Sequence, residues 1–156
     1  MSATRHLLVV AHAPSPNTQK LVDAVLRGAS HEDVEYVSTR HVPPLEAGPD
    51  DVLAANAIIL GTTENLGYMS GALKDFFDRI YYPCLEETQG LPYALYVRAG
   101  RDGTGTRRAV ESIVTGLRWQ PAQDPLICRG EFQDQFVTDC EELGLYMAAG
   151  LDTGIL

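Results

Sequence analysis

The chain reads as a single α/β domain: a doubly wound, five-stranded parallel sheet in the order 2-1-3-4-5 with helices on both faces. Three observations predict this. Short apolar runs alternate with stretches of helical periodicity along the whole sequence, giving five strands and five helices. Two of the runs, Leu7 to Ala11 and Ala57 to Leu60, have no polar alternation, which marks strands covered on both faces as in a parallel sheet. The length of 156 residues supports one core and not two, so residues 1-156 are expected to form one unit.

Leu7 to Ala11 is the first strand and should be central. The segment His12 to Pro16 carries two prolines that cannot continue a ladder, and Asn17 or Thr18 can cap a helix bearing Leu21, Ala24, Val25 and Gly28. Val34 to Val37 reads as a second, short strand interrupted by Glu35; Pro43, Pro44, Gly48 and Pro49 then form a loop before a short helix over Asp50 to Ala55. Ala57 to Leu60 is the third strand. Leu73, Phe76, Phe77 and Ile80 fall at i, i+3, i+4 and i+7, one apolar stripe opposite Lys74, Asp75 and Asp78. Tyr93 to Val97 is the fourth strand, and Val110, Ile113, Val114 and Leu117 repeat the helical spacing. A last strand lies within Trp119 to Cys128, broken by Asp124-Pro125, and Phe136, Cys140, Leu143 and Met147 close the chain as a helix.

Right-handed crossovers wind such an alternation so that the ligand crevice lies between strands 1 and 3 at the carboxyl ends. Function should therefore reside in His12 to Thr18, Thr62 to Ser70 and Ala99 to Gly105. The first of these joins a central strand to a helix N-terminus, where unpaired N–H groups and the macrodipole favour an anion. Ser15, Asn17 and Thr18 add neutral donors, and His12 at the strand end can donate to a phosphate. A neutral, hydroxyl-rich loop suits a terminal monophosphate, and the Gly-Lys-Ser/Thr ending of a Walker loop is absent. The second loop mixes polar groups, Gly67 and the aromatic Tyr68, a set able to line a flat polar ring.

Charge and cysteines narrow the partners. Twelve basic against 21 acidic residues give a net charge of −9, which disfavours nucleic acid and anionic membranes. Cys84, Cys128 and Cys140 form no Cys-x-x-Cys pair, and with no histidine at ligand spacing no metal site is expected. An odd cysteine count and an N-terminal apolar run of only five residues fit a cytoplasmic setting.

The stretch Gly61 to Lys74 resembles the Thr-Pro-Glu-Tyr-Asn-Gly-x-x-Pro-Gly-x-Leu-Lys segment of the NADPH-dependent FMN reductase branch of the flavodoxin-like superfamily. Thr62, Glu64, Gly67, Gly71, Leu73 and Lys74 match, while Thr63, Asn65 and Leu66 stand where that pattern has Pro, Tyr and Asn. The first loop is similar to the flavodoxin phosphate loop Ser/Thr-x-Thr-Gly-Asn-Thr at Ser15, Asn17 and Thr18, with Ala13 and Pro16 departing from it. The resemblance implies a non-covalent FMN. Its phosphate would lie on His12, Ser15, Pro16, Asn17 and Thr18, and its ring between Thr62, Thr63, Glu64, Asn65, Leu66, Gly67 and Tyr68 on one side and Gly100, Arg101 and Asp102 on the other. No catalytic side chain beyond the flavin is then required. Gly67 is expected to let its peptide rotate toward the reduced ring. Arg101 either faces the ring's pyrimidine side or pairs with Asp102, and Tyr68 either stacks on the ring or packs on the following helix.

The expected activity is NAD(P)H-dependent reduction of flavin, quinone or a similar small-molecule acceptor. Its alternative is a flavodoxin-type electron carrier whose acidic surface docks a basic redox protein. A receiver-like module of the same winding ranks last, because His12 and Thr62 stand where its acidic cluster and phosphorylatable Asp would be. Tyr81, Tyr82 and Pro83 read either as a homo-oligomer contact or as cover for the sheet edge. His6, His31 and His41 are expected to be solvated.

Overall fold

A computed structural model describes residues 3–156. It contains β1 (Arg5–Ala11), α1 (Pro16–Ala29), β2 (Val37–Val42), α2 (Pro49–Leu53), β3 (Ala57–Asn65), β4 (Tyr68–Met69), α3 (Gly71–Cys84), β5 (Pro92–Ala99), α4 (Thr104–Gly116), β6 (Gln120–Pro121), β7 (Leu126–Arg129) and α5 (Asp134–Thr153). The sheet order is β2-β1-β3-β5-β6, with β7 also paired to β5 and β4 to β3. All pairs are parallel except β3 with β4. The wound parallel sheet expected from the sequence is therefore present, with β6 and β7 sharing the place of the fifth strand.

Alternation along the strands divides the core into two layers. Leu7, Val9, Ala57, Ile59, Ala94 and Tyr96 face α1 and α5. Leu8, Val10, Ile58, Leu60, Leu95 and Val97 face α2, α3 and α4, where Phe76, Phe77 and Trp119 fill the layer. Each of these large side chains contributes about 2–3 kcal/mol through burial. Trp119 brings its indole N–H with it and donates to Thr88 Oγ1 at 2.9 Å.

Four boundaries differ from the sequence reading, each for a local reason. The second strand runs over Val37–Val42 and not Val34 to Val37. Glu35 and Tyr36 donate their N–H groups to the Asp152 carboxylate on α5, which takes that segment out of the ladder. As an edge strand, β2 tolerates the polar run Ser38-Thr39-Arg40-His41 that carries no apolar signal. α1 begins at Pro16, because Ser15 and not Asn17 or Thr18 is its cap. β3 continues through Asn65 and turns back as β4, so all of the expected second loop except Ser70 is a hairpin. α5 extends over 20 residues, well beyond its apolar stripe.

Candidate functional site

The carboxyl ends of β1, β3 and β5 bring three connections to one edge of the sheet. Ala11 and Gly61 are register partners at the point where the winding reverses, and the His12 N–H donates to the Gly61 carbonyl at 2.9 Å. His12 is partly buried, and that burial lowers its pKa, favouring the neutral imidazole. Ser15 and Thr18 cap α1 reciprocally: Ser15 Oγ accepts from the Thr18 N–H at 3.2 Å and Thr18 Oγ1 from the Ser15 N–H at 2.9 Å. The two hydroxyls are also 2.9 Å apart, so both serve the turn itself. Pro14 and Pro16 have no N–H. The donors this connection leaves without a partner among the described residues are the N–H groups of Ala13 and Asn17, the exposed Asn17 amide and the ring N–H of His12. The cradle is neutral, as the sequence suggests, and sparser in donors.

The hairpin forms the second connection. Asn65 pairs with Tyr68 across a two-residue turn in which Leu66 and Gly67 have φ of 53° and 75°. Both central residues at positive φ is the pattern of a type I′ turn, unfavourable for leucine and easy for glycine. Leu66 is 106% exposed and Tyr68 41%, so the tip presents apolar surface outward. Below the tip, Thr62 Oγ1 accepts from the Ser70 N–H at 2.9 Å and donates to the Thr63 carbonyl at 2.9 Å. Thr63 Oγ1 donates to Asn65 Oδ1 at 2.8 Å, and Ser70 Oγ caps α3 by accepting from the Leu73 N–H at 3.1 Å. The hairpin rests on α4: Thr106 Oγ1 donates to the Tyr68 carbonyl at 2.9 Å, and the Gly67 carbonyl packs on Gly105 so closely that a Cβ there would overlap it.

Glu64 joins the second connection to the third. Its Oε1 accepts from the Arg101 N–H at 2.8 Å and its Oε2 from the Gly103 N–H at 2.9 Å. The hairpin and the loop over Gly100, Arg101 and Asp102 are thereby fixed to each other by one carboxylate. Asp102 does not pair with Arg101. It accepts from the Thr104 N–H at 3.0 Å at the start of α4, and that bond holds its carboxyl below the usual carboxylate range. Arg101 extends into solvent without an ion-pair partner among the described residues. Tyr96 lies across Gly61, where the missing Cβ makes room for its ring. Its hydroxyl is buried without a partner, and burial drives its pKa well up.

No group of three or more potential metal ligands occurs among the described residues, and no described helix is long and apolar enough to cross a membrane. All three cysteines are free and buried. His41 lies in β2, its Nε2 3.1 Å from the Ala11 carbonyl, and is only partly exposed. Of the aromatic pair on α3, Tyr81 packs half-buried with its hydroxyl against Gly116, while Tyr82 is exposed.

The whole arrangement has close structural counterparts. A flavodoxin from the domain Archaea superposes with a TM-score of 0.78 at 20% identity, covering 94% of this chain and 98% of that one. This is the flavodoxin-like fold. Two-electron reduced Megasphaera elsdenii flavodoxin gives a TM-score of 0.75 at 16% identity over 92% of this chain and 98% of its own. An oxidoreductase from Corynebacterium diphtheriae gives 0.70 at 15% identity over 98% and 99%. By sequence, the chain is 32% identical over 111 residues to the flavodoxin of Aquifex aeolicus (strain VF5), an alignment that takes in 71% of this chain and 59% of that protein. The chain thus spans under two thirds of that relative's length. No family model matches.

On this flavodoxin-like frame, the residues singled out by sequence gather at one edge: the cap of α1, the hairpin and the loop before α4. Their division of labour was not visible. Ser15, Thr18, Thr62, Glu64 and Asp102 bond to the protein's own backbone, and the outward-facing groups are Asn17, Leu66, Tyr68 and Arg101. Gly105, the last residue of the expected third loop, and Thr106, one residue beyond it, complete the site's support in a role that the sequence reading did not assign. The glycine spacing Gly100, Gly103, Gly105 was the available signal, since a glycine opening a helix marks close backbone approach.

Proposed function

We propose that the chain binds FMN at this edge and acts as a flavodoxin-type electron-transfer protein. The observation that carries the reading is the Glu64 clamp, which makes one rigid frame of the hairpin and the loop over Gly100, Arg101 and Asp102 beside the switch point of Ala11 and Gly61. Relatives on the same fold are flavodoxins by name.

The donor set fits the group. The N–H groups of Ala13 and Asn17, the Asn17 amide and the positive end of α1 suit a dianionic phosphate, and no carboxylate lies in that connection. Leu66 and Tyr68 offer apolar surface to a ring, and the loop over Gly100, Arg101 and Asp102 adds backbone polar groups other than the Arg101 N–H held by Glu64. Bound there, the flavin supplies reversible uptake of one or two electrons, and the protein orients it and limits water. Gly67 can invert its peptide at low cost, which would bring its carbonyl from Gly105 toward the ring as a hydrogen-bond acceptor.

Hydride transfer from NAD(P)H is the finer reading suggested by Gly71, Leu73 and Lys74. Each has a helical role here: Gly71 opens α3, Leu73 is buried, and Lys74 pairs with Asp78 at 2.5 Å. The carrier reading needs nothing more than the frame and is preferred. Titration with FMN, followed by quenching of flavin fluorescence, should saturate at one flavin per chain. Anaerobic mixing of the loaded protein with NADH or NADPH should then leave the flavin oxidised, while dithionite reduces it. Absence of quenching removes the cofactor assignment, and rapid bleaching by a nucleotide replaces the carrier with a reductase.

A further inference from the structure

The chain carries −9 overall, yet six of its twelve basic residues fall between Arg98 and Arg129. Three of them, Arg107, Arg108 and Arg129, line a cleft of about 320 Å3 between α4 and β7, next to the loop over Gly100, Arg101 and Asp102. Arg107 is held by Glu111 at 3.1 Å. Arg108 and Arg129 make no ion pair or side-chain hydrogen bond among the described residues, nor does Arg101 at the cleft's inner edge. The carboxylates in the cleft are Asp102, engaged by the Thr104 N–H, and Glu111. The fully exposed Leu66 precedes Gly67, whose carbonyl packs on Gly105 at the start of the same α4. An apolar tip bordered by four arginines, of which Arg107 is paired with Glu111 and Arg129 faces Asp102 without a direct ion pair, has the composition of a docking face: an anchor within a charged rim.

We propose that this lip, formed by Arg101, Arg107, Arg108 and Arg129 with Leu66 at the hairpin tip, docks the acidic face of a redox protein. The inference rests on the electron-transfer reading above. It reverses the expectation drawn from net charge, by which an acidic chain meets a basic partner. Charges within a Debye length of about 8–10 Å set the orientation of a docked complex, whereas the rest of the surface is screened at ordinary salt. The local arginines, and not the total of −9, then select the partner that can bring its redox centre to this edge.

Native cytochrome c, a basic protein, and fully succinylated cytochrome c, an acidic one, carry the same haem and serve as probes. The first readout needs no flavin: binding of each ferric probe to the chain and to the Arg108→Glu/Arg129→Glu variant, by calorimetry at low salt. The succinylated probe should bind the chain at least about tenfold more tightly than the variant, and lose a similar factor between about 20 and about 200 mM salt. In the second readout, chain loaded with FMN and reduced by dithionite passes one electron to each ferric haem, two haems per fully reduced flavin. The bimolecular rate with the succinylated probe should fall about tenfold in the variant. FMN affinity and thermal melting of the variant confirm that site and fold are intact. Succinylated probe binding within twofold for chain and variant overturns the proposal. So does pyrophosphate binding that the variant loses while the chain ignores the succinylated probe, which assigns the cleft to a small anion. Failure of FMN to bind would remove the function proposed above and leave the first readout to decide the surface.

Discussion

The carbonyl oxygen of Gly67 occupies the space that a Cβ on Gly105 would need. The hairpin turn and the first turn of α4 therefore meet backbone to backbone, and the Thr106 hydroxyl fastens the contact one residue on. Gly105→Ala must push the two elements apart. Overpacking of this kind costs about 1–3 kcal/mol, to be read as a lower urea midpoint. FMN affinity should fall with it, because the hairpin carries Leu66 and Tyr68.

Glu64→Gln keeps the size of the clamp and removes one of its two acceptors, leaving an amide N–H2 facing a backbone N–H. A charged hydrogen bond lost and a donor left unpaired amount to about 1.5–3 kcal/mol. The weakening should appear in FMN binding as a drop of at least about tenfold, by fluorescence titration, and in faster hydrogen exchange at Arg101 and Gly103.

Leu66 sits at φ 53° with its side chain in solvent, so the fold gains nothing from it. Leu66→Asn would create the Asn-Gly sequence that such turns favour. Thermal and urea unfolding should show a gain of about 1 kcal/mol, while FMN binds less tightly. Opposite signs in the two measurements are what a residue kept for its ligand should give, and equal signs would assign it to the fold.

Asp51 accepts from Arg40 Nη2 at 2.6 Å and from the Gly48 N–H at 2.9 Å. The Arg40 bond is the chief cause that holds its carboxyl below the usual range, against a smaller opposing effect of burial. Because the folded value is the lower one, the stabilisation is complete above the ordinary carboxylate pKa and disappears as pH falls through the folded value. Asp51→Asn should therefore cost stability at pH 7, by about 1 kcal/mol as for a lost helix cap. The gap to the unaltered chain should close below about pH 4, as followed by urea unfolding across pH.

Tyr96→Phe removes a buried hydroxyl that has no partner. Its unpaired burial costs about 1–3 kcal/mol, so the variant should unfold at higher urea in the absence of flavin.

Where sequence carried a repeating physical signal, the architecture was legible. The unbroken apolar runs of β1 and β3 announced central parallel strands, and the stripes on α3 and α4 announced their buried faces. β2 was displaced because an edge strand with one half-buried face has little apolar content, and the segment before it is held by Asp152, distant in sequence. The hairpin was read as loop, since Leu66 has no preference for positive φ and only Gly67 hinted at a turn. Within the site, residue positions were legible but hydrogen-bond partners were not: the pairing of Glu64 with Arg101 and Gly103 spans 37 and 39 residues. The arginine lip joins α4 to β7 and exists only after folding.

The divided last strand bears on how copies of the chain meet. Its two pieces pair with the start and the end of β5, and residues 122–125, including Pro125, leave the ladder between them. Pro121 also lacks an N–H to offer an incoming strand. At the opposite border, β2 interposes the exposed Ser38 and Arg40, the latter tied to Asp51. β2 is a regular six-residue edge guarded only by these side chains, whereas the divided strand gives lateral addition of a foreign strand no template. That protection is built into backbone shape, and it persists in acid or high salt, where repulsion between negatively charged copies fails.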